Sequence, residues 1–220
     1  MRNYLITKTH KDKPNPNAKA NHGKQLIYIA FHKPYGVLSQ FTSEEGKQTL
    51  KDYLKVQKDV YPVGRLDTDS EGLLLLTNDT SVNNRLLDPK YEHERVYLAF
   101  VEGIPAQEEL AKFRNGVVIG DYTTKPAKIE IASEPSWLSE RVPPPRVYET
   151  KLYSWIKVIL TEGKNRQVRK MAAAIGHPVL RLIRVRILNI KLNQLKPGEK
   201  RDLTKEEVTL LRKSLSLQIR

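Results

Sequence analysis

Arg65 and Asp67 stand two residues apart in the run Pro62 to Asp79, PVGRLDTDSEGLLLLTND. An extended segment enters a turn there, and the apolar run Leu73 to Leu76 follows directly. A carboxylate fixed beside a buried strand has a defined position and restricted access to water, two conditions that nucleophilic and acid–base chemistry require. Spacing alone also suits a plainer role, because Asp is a common turn and cap residue. Asp67, Asp69, Glu71 and Gly72 match positions 1, 3, 5 and 6 of a calcium loop. The match then fails, since Asn78 replaces the bidentate Glu and leucines fill the positions between. A magnesium site on Asp67 and Asp69 lacks the further acidic residues of a two-metal clamp. A paired-carboxylate glycosidase predicts a neutral or acidic cleft, against which the basic composition argues.

A second cluster lies in Glu162 to Met171, EGKNRQVRKM, which places Lys164, Arg166, Arg169 and Lys170 around the start of a helix. Free N–H groups at a helix start attract anions, and the four cations add to that field, so a phosphate or carboxylate contact is expected. The Gly-Lys pair lacks the rest of a phosphate-binding loop, which excludes a nucleoside triphosphate site. Tyr97 lies in the strand-like run ERVYLAFV, where alternation sets it on the face opposite Val96 and Leu98, toward either core or cleft.

The chain has 220 residues, 38 Lys and Arg against 25 Asp and Glu, and a formal net charge of +13. An excess of that size, clustered locally, is the footprint of a protein that meets phosphate backbones. A membrane-surface role would need a basic amphipathic helix with an aromatic face, and none is visible. There are no cysteines, which excludes disulfides and thiolate chemistry and suits a reducing cytoplasm. The five His residues show no metal-ligand spacing. No apolar run approaches the roughly 18 residues of a membrane span, and the N-terminus lacks the apolar middle of a secretory signal.

The elements that must position these residues read as follows. Residues 1–25 form a basic tail, with 8–24 too polar to fold alone. Strands are expected at Leu26 to Phe31, Pro62 to Leu66, Leu73 to Thr77, Glu94 to Val101, Lys128 to Ala132, Trp155 to Thr161 and Val179 to Ile190. The last should carry one buried and one basic face. Short helices are expected over Thr49 to Val56, after an Asp79 cap through Leu87, and over Pro105 to Phe113. Val168, Met171, Ala172 and Ile175 form one apolar stripe at helical spacing, and Gly176 stands where that helix should end. Thr204 and Glu207 form a capping-box pair before a final helix with Val208, Leu211 and Leu215 on its apolar face. Glu134 to Pro145, with four prolines, reads as an irregular insertion. Strands outnumber helices without a βαβ rhythm, so the fold class is α+β with a mostly antiparallel sheet.

With these segments in hand the chain resembles the RsuA-like family of ribosomal RNA pseudouridine synthases. PVGRLDTDSEGLLLLTND matches that family's catalytic motif and EGKNRQVRKMAAAIGHPVLRLIRVRI its second signature, while HKPYGVLSQF and ERVYLAFVEG are similar to further segments. The resemblance covers about Ile27 to Thr204 and overturns the plainer reading of Asp67. Many members carry an S4 RNA-binding domain before the catalytic core; none fits ahead of residue 26 here, so 26–220 is expected to be the catalytic domain alone. That feature and the RVPPP segment, Arg141 to Pro145, are most similar to the RluE type, which acts on 23S rRNA of the large subunit.

The resemblance implies a central, mostly antiparallel sheet with flanking helices and an active-site cleft across it. It implies Asp67 as the nucleophile, Tyr97 against the uracil and Arg169 paired with Asp67. Arg65 is implied to hold the flipped-out site open and Leu182 to pack under the base, while Lys164 and Arg166, from their place in the basic cluster, are expected to hold RNA. The implied reaction breaks the N1–C1′ bond of a uridine, turns the base and joins C5 to C1′, which requires no cofactor and no metal. A stacked base hides the reacting atoms, so the nucleotide must be extruded. Whether Asp67 attacks C1′, attacks the ring or helps expel uracil stays open at this level. The expected partner is ribosomal RNA rather than a membrane, the expected location cytoplasmic, and the expected state a monomer. Two rivals remain: a metal nuclease, and an RNA-binding assembly factor without catalysis.

Overall fold

The computed structural model describes residues 25–218. The expectation of a basic tail over residues 1–25 therefore falls, but for Gln25, outside the described residues. The strands are β1 Tyr28–Lys33, β2 Tyr61–Pro62, β3 Glu71–Thr77, β4 Arg95–Glu102, β5 Val118–Ile119, β6 Tyr122–Thr123, β7 Lys128–Ala132, β8 Tyr153–Leu160, β9 Val179–Ile187, β10 Ile190–Lys191 and β11 Lys200–Asp202. The helices are α1 Thr80–Leu87, α2 Gln107–Asn115, α3 Gln167–Ala174 and α4 Lys205–Ser214. One sheet runs β11-β1-β3-β9-β4-β8-β7, with β2 added to β3 and β10 to β9, while β5 and β6 form a separate hairpin. Every pairing in the large sheet is antiparallel except β3 with β9. The α+β class and the mostly antiparallel sheet are as the sequence indicated.

Alternation along the strands divides the core between two faces. Leu73, Leu75, Leu98 and Ile183 enter one apolar cluster, which Val82 and Leu86 of α1 and Leu211 of α4 cover. The opposite face holds two clusters. Leu74 and Leu76 join Phe31, Leu50 and Leu54 at one end, and Ala99, Ile156, Val158 and Leu182 join α2 and α3 at the other. β3 is buried along its whole length. That explains its unbroken leucines, since a central strand covered on both faces has no solvent side.

α1 and α4 are tied to one another beneath the sheet. Asp79 caps α1 by accepting from the Ser81 and Val82 amides at 3.0 and 3.4 Å. It also accepts from the Tyr28 hydroxyl at 2.6 Å and is ion-paired with Arg212 of α4. Burial pushes this carboxyl up, but hydrogen bonds from Ser81 and Tyr28, with the Arg212 charge, outweigh that and hold it below its ordinary value.

β3 and β9 meet through two positions only, Glu71 with Ile183 and Gly72 with Arg184. The approach is so close that a Cβ on Gly72 would lie 2.3 Å from the Arg184 carbonyl oxygen, and Gly72 has φ +102°. Gly72→Ala combines that collision with a backbone conformation L-residues avoid, and should cost about 1–3 kcal/mol of stability. Denaturant unfolding measures this; an unchanged midpoint would contradict the close packing.

Two strand expectations need correction. The segment expected to be extended from Pro62 to Leu66 pairs with β3 only at Tyr61 and Pro62, with one further bond from Val63 N to Leu75 O at 2.7 Å. Gly64, at φ +72°, then turns the chain away. The strand expected from Val179 to Ile190 ends at Ile187, where Leu188, at φ +49°, folds it back into the β9–β10 hairpin. Nor does it present one basic face. Arg181 and Arg184 are both buried, and a register shift between Val96 and Tyr97 in the pairing with β4 interrupts simple alternation. The Glu134 to Pro145 insertion has no helix or strand, as its prolines indicate; Arg141 pins it by stacking 4.3 Å above the Tyr35 ring.

Candidate active site

A cleft of about 940 Å³ opens beside the junction of β3, β9 and β4. Its walls include Arg65 and Asp67, the end of α1, Tyr97 of β4, the segment Leu160 to Val168, and Leu182 and Arg184 of β9. The volume is at the upper end of the range for sites that bury a small ligand, about 300–1,000 Å³.

Asp67 stands in a tight turn rather than on a strand, with Ser70 N donating to its carbonyl at 3.0 Å. The loop after β1 holds this turn from behind. Gly36 N donates to Thr68 O at 2.8 Å, while Ser39 Oγ donates to Leu66 O at 2.8 Å and accepts from Leu66 N at 3.1 Å. These bonds fix the backbone on both sides of Asp67 and leave its carboxylate, about one-third exposed, at the cleft wall.

The arginine assignment from the sequence is corrected here. Arg169 does not pair with Asp67. Its Nη2 donates to the Asp69 carbonyl at 2.6 Å, its Nη1 to the Val179 carbonyl at 3.0 Å, and its Nε lies 3.4 Å from the Asp69 carboxylate. Arg169 thus clamps the turn to the start of β9. The cation nearest Asp67 is Arg166, 3.7 Å away, whose fork is itself spent on Asp69 at 3.0 and 2.8 Å. The reason is geometric. Asp69 stands at the tip of the turn facing α3, and Arg166 caps that helix with φ +52°. Burial pushes the Asp69 carboxyl up, but the Arg166 hydrogen bonds and the Arg169 charge prevail and hold it below its ordinary value.

Arg65, Asp67, Tyr97, Lys164, Arg166 and Leu182 all line the cleft, so six of the seven residues singled out from the sequence converge there. Tyr97 faces Arg184 across the strand pair, and Leu182 stands two residues before Arg184. Arg65 and Lys164 are exposed at the rim, where Lys164 Nζ lies 5.6 Å from the centre of the Tyr122 ring. Among the described residues no group of three or more His, Cys, Asp and Glu could hold a metal ion.

Sequence reasoning missed the buried polar frame. Glu71 and Arg181 form a bidentate pair at 2.9 Å for both bonds, and both are buried. Gln167 binds the Glu162 carboxylate, which also accepts from Lys125 N at 2.8 Å, so the 162–167 loop enters the cleft preorganised. Arg184, a cationic side chain two residues from Leu182 within a buried strand, also lines the cleft. Lys33, fully buried, donates to the carbonyls of Pro34 and Val37 at 2.8 and 2.7 Å.

Burial pushes the Lys33 ammonium down to about 8, although Glu71, Asp69 and Asp67 pull the other way. The unfolded chain holds this proton up to about pH 10.4. Between those values the unfolded state binds more protons, so stability from this group rises with pH. Relative to Lys33→Met, the native protein should therefore gain stability from about pH 8 to pH 10. Unfolding curves at several pH values check this; parallel pH profiles would contradict it.

A sequence profile of the family described as RNA pseudouridylate synthase matches residues 27–174. The ribosomal large subunit pseudouridine synthase E of Vibrio parahaemolyticus is 45% identical over 175 residues, covering 80% of this chain and 73% of that protein. The ribosomal large subunit pseudouridine synthase B of Bacillus subtilis is 37% identical over 205 residues, covering 93% and 79%. A pseudouridylate synthase crystal structure superposes with a TM-score of 0.70 at 28% identity, over 85% of this chain and 74% of that one.

Proposed function

The chain belongs to the RNA pseudouridylate synthase family, and from that premise we propose that it converts uridine to pseudouridine in 23S ribosomal RNA, with Asp67 as the nucleophile on a flipped-out nucleotide. Residues 26–220 act as one catalytic domain in this reading. The observation that carries it is the convergence of Asp67, Tyr97 and Leu182 on one cleft with a cationic rim. The net charge of +13 suits an RNA partner, and the identity to large-subunit enzymes favours 23S rRNA over other RNA.

Arg65, Lys164 and Arg166 hold the backbone at the rim while the extruded base enters the cleft. The ring lies against Tyr97 and Leu182. The N1–C1′ bond breaks with its electron pair passing to the uracil, and the Asp67 carboxylate meets the electron-deficient C1′. Tyr97 retains the detached ring while it turns. C5 then bonds to C1′ and displaces the carboxylate, C5 gives up its proton, and N1 takes one up. Atoms and charge balance without an oxidant, a leaving fragment or a cofactor. The scaffold supplies position: the Ser39, Thr68 and Arg169 contacts hold the turn before substrate arrives.

The test is to incubate unmodified ribosomal RNA with the protein, in parallel with magnesium and with EDTA, then map pseudouridines by carbodiimide adducts and primer extension. New stops at one or a few uridines in full-length 23S RNA are expected. Shortened RNA would favour the nuclease, and unmodified RNA that is nonetheless bound would favour the assembly factor.

A further inference from the structure

Arg184 is a cation that the cleft floor leaves unspent. Its side chain is buried, with 4% of the residue exposed, yet it lines the cleft opposite Tyr97 and beside Leu182. Its Nε donates to the Leu73 carbonyl at 2.8 Å, while Nη2 is enclosed with no partner among the described residues. Among the described residues it makes no ion pair, in contrast to Arg181 three residues earlier, which is forked onto Glu71. Two further cations, Lys33 and Arg95, lie close enough for their charges to oppose that of Arg184. A guanidinium does not escape by losing its proton, and an unpaired buried charge is unfavourable in the free protein. The arrangement makes sense if negative charge arrives on this floor during the reaction.

We infer that Arg184 binds the uracil ring as it separates from the sugar, and stabilises the negative charge that the departing electron pair places on the ring carbonyl oxygens. The inference rests on the reaction proposed above. When N1–C1′ breaks, the bonding pair passes to N1 and spreads onto O2 and O4; when C5 rebonds to C1′ and N1 regains a proton, the ring is neutral again. A donor fixed where charge develops, in a site shielded from water, acts on the transition state more than on the ground state. A backbone phosphate is the less fitting ligand, because Arg184 lies on the floor among Tyr97 and Leu182, whereas the exposed cations stand at the rim. The interaction is therefore with the base.

The test compares Arg184→Met and Arg184→Lys on RNA carrying uridine or 5-fluorouridine at the target, under single turnover, by disappearance of the target nucleoside. Arg184→Met should slow uridine conversion by about 10²–10³-fold. It should leave RNA affinity within about two-fold and the thermal midpoint unchanged or higher, as expected for removal of an unpaired buried charge. With 5-fluorouridine the loss should shrink about ten-fold or more, because the fluorinated ring carries negative charge more readily by itself. Arg184→Lys, which retains the charge without the planar fork, should show a smaller loss and the same narrowing, and supplies the comparison if the methionine variant does not fold. Equal losses on both substrates, a loss of affinity at unchanged rate, or near-native turnover would each overturn the inference. An active Asp67→Asn protein would instead remove the underlying reaction, an outcome independent of Arg184.

Discussion

Asp67→Asn is expected to keep the fold and the RNA affinity while losing conversion by on the order of 10⁴-fold or more, the scale on which essential members of a catalytic unit fail. The separation of effects follows from how the residue is held. Ser70 bonds to the Asp67 backbone carbonyl, not to its side chain, so the turn survives the change. Among the described residues the only ion pair of the carboxylate is with Arg166 at 3.7 Å, with both side chains more than one-third exposed, and such pairs contribute little to stability. Asparagine has the same shape but cannot meet an electron-deficient carbon with negative charge. Single-turnover rates, thermal midpoints and RNA affinity measured on one preparation decide the matter. Substantial conversion by the variant would remove Asp67 as the nucleophile.

Arg169→Ala is expected to slow the reaction by about 10²–10³-fold with a much smaller change in RNA affinity. The cause differs from that inferred from the sequence. Arg169 makes no ion pair with Asp67; it joins the Asp69 backbone and carboxylate to the Val179 carbonyl and so latches the turn against β9. Its removal takes a donor from two half-buried carbonyls and frees the turn to shift, and a displacement near 1 Å can cost about 10² in rate. Arg166→Ala should act differently, weakening RNA binding more and rate less, because Arg166 is exposed and stands at the rim. A larger rate loss in Arg166→Ala than in Arg169→Ala would show that the 3.7 Å contact with Asp67, rather than the latch, governs the chemistry.

Local pattern carried much of the fold. The stripe of Val168, Met171, Ala172 and Ile175 is buried as its spacing indicates, and Thr204 with Glu207 forms the capping box that opens α4. The leucines of β3 announced a strand covered on both faces. What escaped notice depends on residues far apart in sequence. Arg166 and Arg169 lie 97 and 100 positions from Asp69, and Arg181 lies 110 from Glu71. No spacing rule says which carboxylate occupies the tip of a turn that faces a distant helix. Val179 to Ile190 misled for a related reason, since the bulge against β4 and the positive φ of Leu188 arise from tertiary packing. Asp67, Tyr97 and Leu182 were reached through the resemblance to a known family, and all three line the candidate cleft. Arg184 was not, because a buried arginine in an apolar strand reads as an element of structure until its unspent donor is seen beside the cleft.

The most direct measurement is a structure of the protein bound to a 23S rRNA stem-loop that carries its target uridine. The account predicts an unstacked uridine with its ring on Tyr97 and its C1′ about 3–3.5 Å from an Asp67 carboxylate oxygen, the separation of groups poised to react. A target base still stacked in its helix, or one extruded with Asp67 turned away and another side chain at C1′, would contradict it.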